Sequence, residues 1–251
     1  MSAQQGSSSD ETDAATTRPL MAANPLLDAF REAMAAGADT DGIRDEAIAR
    51  YGFAIPTGEA LDAIGRCSPA GVVEVGAGTG YWASLLHARG LDVVAFDLEP
   101  APSPQNKWFA GVSPWHPVHR GDHRIVGDHP ERTLLVVWPT KDETWGAAAI
   151  ERYHDAGGQC LVFVGEGPGG RTGDATFHTL LGELSVCLQC EYGSMTSPCT
   201  CGIAARWQRT ETIELPHWPG FHDDLHIYAR EPVHDGPARR ARVWRRPARR
   251  G

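Results

Sequence analysis

Apolar residues along the chain follow two different periods. Between residues 20 and 51 the chain is Ala-rich, and Leu26, Leu27, Phe30, Met34, Ile43, Ile48 and Tyr51 recur at near-helical spacing. That spacing predicts two short helices, and Gly37 and Gly42 read as the break between them. Pro56-Thr57 predicts the start of a third helix with Ala60, Leu61 and Ile64 on one face. From there on, short β-rich runs at 72–75, 92–96, 116–119, 134–138 and 161–164 alternate with mostly helical stretches. Alternation of this kind predicts a parallel sheet with crossover helices on both of its faces. The best-marked of these helices follows the fourth run. There Thr140-Lys-Asp-Glu143 has the form of a capping box, and Trp145, Ala149, Ile150 and Tyr153 supply an apolar stripe. The last two runs, 205–215 and 224–229, have no helix between them. They predict an antiparallel hairpin closing a sheet of seven strands, joined through Pro216-His-Trp-Pro-Gly220.

The pattern divides the chain. Residues 1–19 are mostly Ser, Thr, Ala, Gln and acids and are expected to be disordered. Residues 20–55 form a helical extension, and 56–233 form the α/β domain with a Cys-rich insert at 185–203. Residues 234–251 are an Arg-rich tail, also expected to be disordered. A hydrophobic content of 41% with 22% charged residues excludes a fully disordered or fibrous chain. The apolar runs are too short to cross a bilayer, and the first residues lack an apolar signal core. The expectation is a cytoplasmic protein without membrane contact.

Charge sharpens this picture. The net charge is −9, yet residues 239–251 carry seven Arg and no acid, so the rest of the chain stands at −16. An acidic body disfavours a broad phosphate-binding face, because nucleic-acid affinity rests on Lys and Arg neutralising phosphates. The basic tail is either a solvated terminus or an arm for an anionic partner.

The most informative segment is Val72-Val-Glu-Val-Gly-Ala-Gly-Thr-Gly-Tyr-Trp82, where the first strand turns into a helix. Gly76 and Gly78 permit a tight turn and close backbone approach to a ligand, and Gly80 lets the helix start pack near it. The dinucleotide fingerprint G-x-G-x-x-G needs glycine where Tyr81 stands, which counts against NAD or FAD. Glu74 suits a ligand with an ammonium group better than one with a pyrophosphate. Asp97 ends the second run, 21 residues after Gly76, where a carboxylate can accept both hydroxyls of a ribose. Together these features ask for S-adenosylmethionine, with S-adenosylhomocysteine as product.

This stretch resembles motif I of the class I S-adenosylmethionine-dependent methyltransferases, and Asp97 matches their acidic strand-end residue. The resemblance covers about residues 56–230 and includes the final hairpin. It implies a Rossmann-like fold in which Glu74 helps place the methionine part, Gly76, Gly78 and Gly80 pass under the cofactor, and Asp97 holds the ribose. It also implies an acid near the adenine, for which Asp122 is the candidate; an ordinary turn role for Asp122 stays open. Phe53-Ala-Ile-Pro56, Trp138-Pro139, residues 164–174 and residues 216–223 resemble a little-described branch of the same superfamily, which fixes no substrate.

Ligands of open α/β sheets bind beyond the carboxyl ends of the strands. The fourth run ends in Trp138-Pro139-Thr140, which departs from the acid-or-Asn, Pro, Pro, aromatic motif of base N-methylating enzymes. The fifth ends in a Gly-rich loop containing Glu166, read either as a proton acceptor or substrate-cation ligand, or as a solvated loop residue. His222-Asp223 is a candidate base with a tuning carboxylate. Trp82, Trp138 and Trp218 are read as pocket lining or core.

Cys187-Leu-Gln-Cys190 and Cys199-Thr-Cys201 have the makings of a closed four-thiolate structural zinc site, against four free thiols in a loop. The chain therefore reads as a methyltransferase acting at O or N of a small molecule or peptide, in specialised metabolism. The alternatives are an RNA- or protein-modifying methyltransferase docking through the Arg tail and zinc insert, and a non-catalytic S-adenosylmethionine-binding protein.

Overall fold

The computed structural model describes residues 23–184 and 205–230. The expected disordered stretches 1–19 and 234–251, and the insert with Cys187, Cys190, Cys199 and Cys201, lie outside the described residues.

Helices lead in. α1 (Pro25–Ala36) starts with the Asn24 side chain accepting the Leu27 N–H and ends at Gly37 in the left-handed conformation. α2 (Thr40–Tyr51) starts at Asp39, so the break is shorter than expected. Gly42 lies inside its first turn, because the Asp39 cap and not the glycine sets the helix start. α3 (Gly58–Cys67) is capped by Thr57 and buries Ala60, Leu61, Ala63 and Ile64, as its spacing predicts.

The sheet has the order β3-β2-β1-β4-β5-β7-β6. Its strands are β1 (Val72–Val75), β2 (Val93–Asp97), β3 (Val118–Arg120), β4 (Thr133–Val137), β5 (Cys160–Gly165), β6 (Trp207–Glu214) and β7 (Asp224–Arg230). The first five run parallel, and β7 pairs antiparallel with both β5 and β6. All seven predicted runs are therefore strands, with shifted ends. β3 begins only after Pro117, which has no N–H to give a ladder. β2 extends through Asp97, whose carbonyl accepts the Gly121 N–H. The crossover from β2 to β3 is a long turn-rich coil without a helix.

Side chains alternate between two cores. Leu135, Val162 and Val164 pack with α1, α2, α3 and α4 (Tyr81–His87) on one face. Leu134, Val136, Leu161 and Phe163 pack on the other with α5 (Trp145–Asp155), α6 (Ala175–Leu180) and a 3-10 turn (His123–Asp128). Helices thus cover both faces. β1 is buried on both sides along its whole length, which is what puts its carboxyl end at the centre of the site. Among the described residues no helix is long and apolar enough to cross a membrane.

The expected capping box does not form. α5 begins at Trp145, and Thr144 makes no side-chain cap. Thr140 is held instead in a bridge to Thr172, and the Gly173 N–H donates to the Pro139 carbonyl. Tying 139–140 to the loop after β5 keeps this stretch extended and delays the helix.

Beneath that loop sits a buried ion pair. His178 on α6 places Nδ1 2.7 Å from Glu183 Oε2 and Nε2 2.8 Å from the Thr172 carbonyl. Glu183 Oε1 accepts the Tyr228 hydroxyl at 2.6 Å. An acceptor at each ring nitrogen favours the imidazolium form of His178. Burial opposes its charge, but the Glu183 and Thr172 bonds prevail and its pKa is raised. Burial likewise opposes ionisation of Glu183, but the His178 and Tyr228 bonds hold its pKa down.

The sign of the pH effect follows. The raised His178 pKa contributes stability in full below the ordinary imidazole value and loses it as pH rises through the raised one. The lowered Glu183 pKa contributes above the ordinary carboxylate value and fades as pH falls through the lowered one. Glu183→Gln is expected to cost about 3 kcal/mol near pH 6, the usual loss on breaking a buried pair, and clearly less at pH 9. Urea melts at the two pH values check this; an equal loss at both would contradict it.

Candidate active site

A cavity of about 390 Å³ opens at the carboxyl ends of the parallel strands, within the usual range for small-molecule sites. Its lining includes Glu74, Gly76, Gly78, Asp97, Asp122 and Trp138. The structure therefore brings most of the expected cofactor residues together.

Gly76, Gly78 and Gly80 all have left-handed φ, of 70°, 55° and 69°. A side chain would be strained there. It would also collide: a Cβ on Gly76 would stand 2.6 Å from the Trp145 ring, and one on Gly78 2.6 Å from the Phe109 ring. The close approach the glycines allow is thus made in part by the protein's own aromatic rings. The loop is pinned from β2. The Gly78 N–H donates to Asp97 Oδ2 at 2.9 Å, and the Ala77 N–H to the Phe96 carbonyl at 3.0 Å.

Asp97 Oδ1 also accepts the Glu99 N–H at 2.9 Å. Each of its oxygens has one donor and keeps accepting capacity for another. Burial raises its pKa, against the pull of the two N–H donors. Glu74 is more extreme. It is 2% exposed, and among the described residues its Oε2 has no hydrogen-bond partner. Burial pushes its pKa up to about 8, partly offset by the Ala83 N–H and reinforced by the Asp97 charge. The Trp82 indole N–H, on another cavity-lining residue, is also buried and without a partner among the described residues.

Asp122 lines the cavity and also caps the 3-10 turn, accepting the Arg124 N–H at 2.9 Å. The Arg124 guanidinium beside it holds its carboxyl down at about 2. The turn role and a place at the cavity therefore coexist in one residue.

The other candidates separate. Asp223 is buried and accepts the Trp138 indole N–H at 2.7 Å. Burial pushes its pKa up to about 7, which the Trp138 bond resists and the Glu166 charge favours. Glu166 is not a solvated loop residue. It is 3% exposed and accepts the Arg171 backbone N–H at 2.6 Å, the Arg171 side chain at 3.0 Å and the His222 backbone N–H at 3.1 Å. Those bonds knit the Gly-rich loop to the segment before β7. Glu166 and His222 line a second, shallower depression with Gly167 to Gly170. Among the described residues no hydrogen bond joins the His222 ring to Asp223.

Trp82 and Trp138 line the cavity, whereas Trp218 is 1% exposed within the core. Sequence reasoning missed Phe53, Trp108, Phe109 and Trp145, which all line it. The available signal was the aromatic density of the 98–117 stretch, which has no helical period to explain it. Among the described residues there is no group of three or more His, Cys, Asp or Glu able to hold a metal ion. The four candidate zinc ligands lie outside those residues.

No family model and no curated protein matches the chain. Solved structures do. Magnesium protoporphyrin IX methyltransferase from Synechocystis PCC 6803, with bound S-adenosylhomocysteine, aligns at 14% identity and a TM-score of 0.44, over 82% of this chain and 94% of that one. The 1,6-didemethyltoxoflavin-N1-methyltransferase of Burkholderia thailandensis aligns at 17% identity and a TM-score of 0.40, over 84% and 92%. The strand order, with β7 inserted antiparallel between β5 and β6, makes this a Rossmann-like α/β fold closed by an antiparallel hairpin.

Proposed function

We propose that the chain is an S-adenosylmethionine-dependent methyltransferase acting at O or N of a small molecule or peptide. The observation that carries this reading is Glu74 Oε2, buried and unpartnered at a cavity that Asp97 shares. Ionising a buried carboxylate costs several kcal/mol unless a cation pairs with it. Among the described residues nothing supplies that cation to Oε2, so the site suits a ligand that brings its own. The amino-acid end of S-adenosylmethionine carries an ammonium for Glu74 and a carboxylate for a donor such as the Trp82 N–H. Asp97, with accepting capacity left on both oxygens, suits ribose hydroxyls, and Asp122 stands at the next strand end for the adenine.

When bound, the cofactor supplies an electrophilic methyl group on a sulfonium. The residues around it bind, orient and exclude water, which is most of what an in-line displacement needs from a protein. Among the described residues Lys107 is the one Lys or Arg that lines the cavity, against several carboxylates. That balance disfavours a phosphate-rich acceptor.

Calorimetric titration with S-adenosylmethionine and S-adenosylhomocysteine tests the reading. Both ligands are expected to bind, and Asp97→Ala is expected to weaken them at least tenfold, about 1.4 kcal/mol. Absence of binding by either would sink the proposal. The pH dependence has a definite sign. Below about pH 8 the free Glu74 carboxyl holds a proton that must leave before it can pair with an ammonium. Affinity should therefore fall as pH drops from 8 to 6, by up to about tenfold per unit. Glu74→Gln should bind more weakly and lose this dependence; an unchanged slope would show that another group titrates.

A further inference from the structure

Glu74 at the end of β1 and Asp97 at the end of β2 claim one part of the cavity. The part beyond β4 is left, and it is walled by aromatic rings from three separate segments. Phe53 comes from the coil between α2 and α3, Trp138 from the end of β4, and Trp108 from the β2–β3 crossover. Phe53 and Trp138 lie ring on ring, with centroids 4.5 Å apart and planes 9° from parallel. Trp108 meets Phe53 edge-on at 5.4 Å. Core aromatics such as Trp207, Trp218 and Phe163 are fully buried, whereas Phe53 and Trp138 are only half-buried and Trp108 is 50% exposed.

Trp138 is held in this position at a cost. Its φ of 49° is left-handed, which bulky side chains avoid, and it precedes a proline. Its backbone N–H donates to the Val164 carbonyl at 2.8 Å, and its indole N–H to buried Asp223 at 2.7 Å. A strained backbone persists only where its surroundings over-determine it, and such residues cluster at functional sites. Fixing the plane of an indole has an obvious use where a flat ligand must be stacked and oriented.

From these observations we infer that the methyl acceptor is a planar aromatic molecule without net negative charge, held against the Phe53–Trp138 stack. Trp138 is its specificity-determining residue and Asp223 the positioning residue that fixes the indole. Among the described residues Glu143 is the lining carboxylate that neither the cofactor nor Arg120 takes up, and it disfavours a planar acid. This inference rests on the methyltransferase reading, and the test below separates the two.

The experiment measures binding of small probes by ligand-observed NMR, with the protein saturated with S-adenosylhomocysteine. The probes are indole and 8-hydroxyquinoline as planar neutral compounds, cyclohexanol as a saturated control and 2-naphthoate as a planar anion. The planar neutral probes are expected to bind at least tenfold more tightly than either control. Trp138→Leu and Phe53→Leu, which keep bulk without the stacked planes, are each expected to weaken them at least fivefold. Asp223→Ala should weaken them similarly. Asp223→Asn keeps an oxygen for the indole N–H and should restore binding to within about twofold of the parent chain, a rescue that general destabilisation would not give. S-adenosylhomocysteine affinity, measured on every variant, should stay within about threefold and certifies the fold; should Trp138→Leu fail that check, Phe53→Leu decides. Equal binding of planar and saturated probes, or unchanged affinity in the Leu variants, would overturn the inference while leaving the cofactor reading intact. No binding of S-adenosylhomocysteine to the parent chain would overturn both.

Discussion

A carboxylate with one oxygen buried and, among the described residues, unpartnered is the constraint around which the site is arranged. Glu74 stands in β1, the strand buried on both faces between β2 and β4. The parallel ladders on either side fix its place, and the packed helices above and below keep water from it. The glycine loop that follows must turn at once, and it is pinned by the Asp97 carboxylate from the neighbouring strand. One strand end therefore supplies an unmet charge, and the next supplies both the anchor of the loop and a second acceptor. The Asp97 charge adds to the cost of ionising Glu74, which a bound cation would relieve.

Around this polar floor the cavity is aromatic. Rings packed on Gly76 and Gly78 use the space that missing side chains leave. The lead-in helices matter here. α2 ends at Tyr51, and the coil after it delivers Phe53 to the cavity. The Thr79 hydroxyl donates to the Tyr51 carbonyl at 2.9 Å, and the Tyr81 hydroxyl to Asn24 at 2.8 Å, so the glycine loop and the start of α4 are stitched to the extension. The extension is thus part of the site's wall and not an appendage to the α/β domain.

Much of this was legible in the sequence, for identifiable reasons. The alternation of β-rich and helical stretches located all seven strands, most plainly β1, β4 and β5, which are buried on both faces and need continuous apolar runs. Glu74, the three glycines and Asp97 were legible because each answers a local backbone or charge requirement at a strand end. The N-terminus of α5 was misread. Thr140 and Glu143 have the spacing of a capping box, but the competing bridge to Thr172 is a long-range contact that no local pattern reveals. Glu166 looked like a candidate catalytic group for its position after a strand, and Asp223 like a carboxylate that could tune His222. Their partners, Arg171 and the Trp138 indole, emerge only once the chain is folded. The aromatic wall was hidden for the same reason, since its rings come from segments far apart in sequence.

Glu74, held near neutrality by burial, should ionise when a ligand brings a cation to it. A carbon-13 NMR titration of glutamate side-chain carboxyls, assigned with Glu74→Gln and run free and saturated with S-adenosylhomocysteine, measures this directly. In the free protein the Glu74 carboxyl should titrate at about 8, and with ligand at or below its ordinary value of about 4.5. A free-protein value already at about 4.5, or one that saturation does not move, would contradict the account.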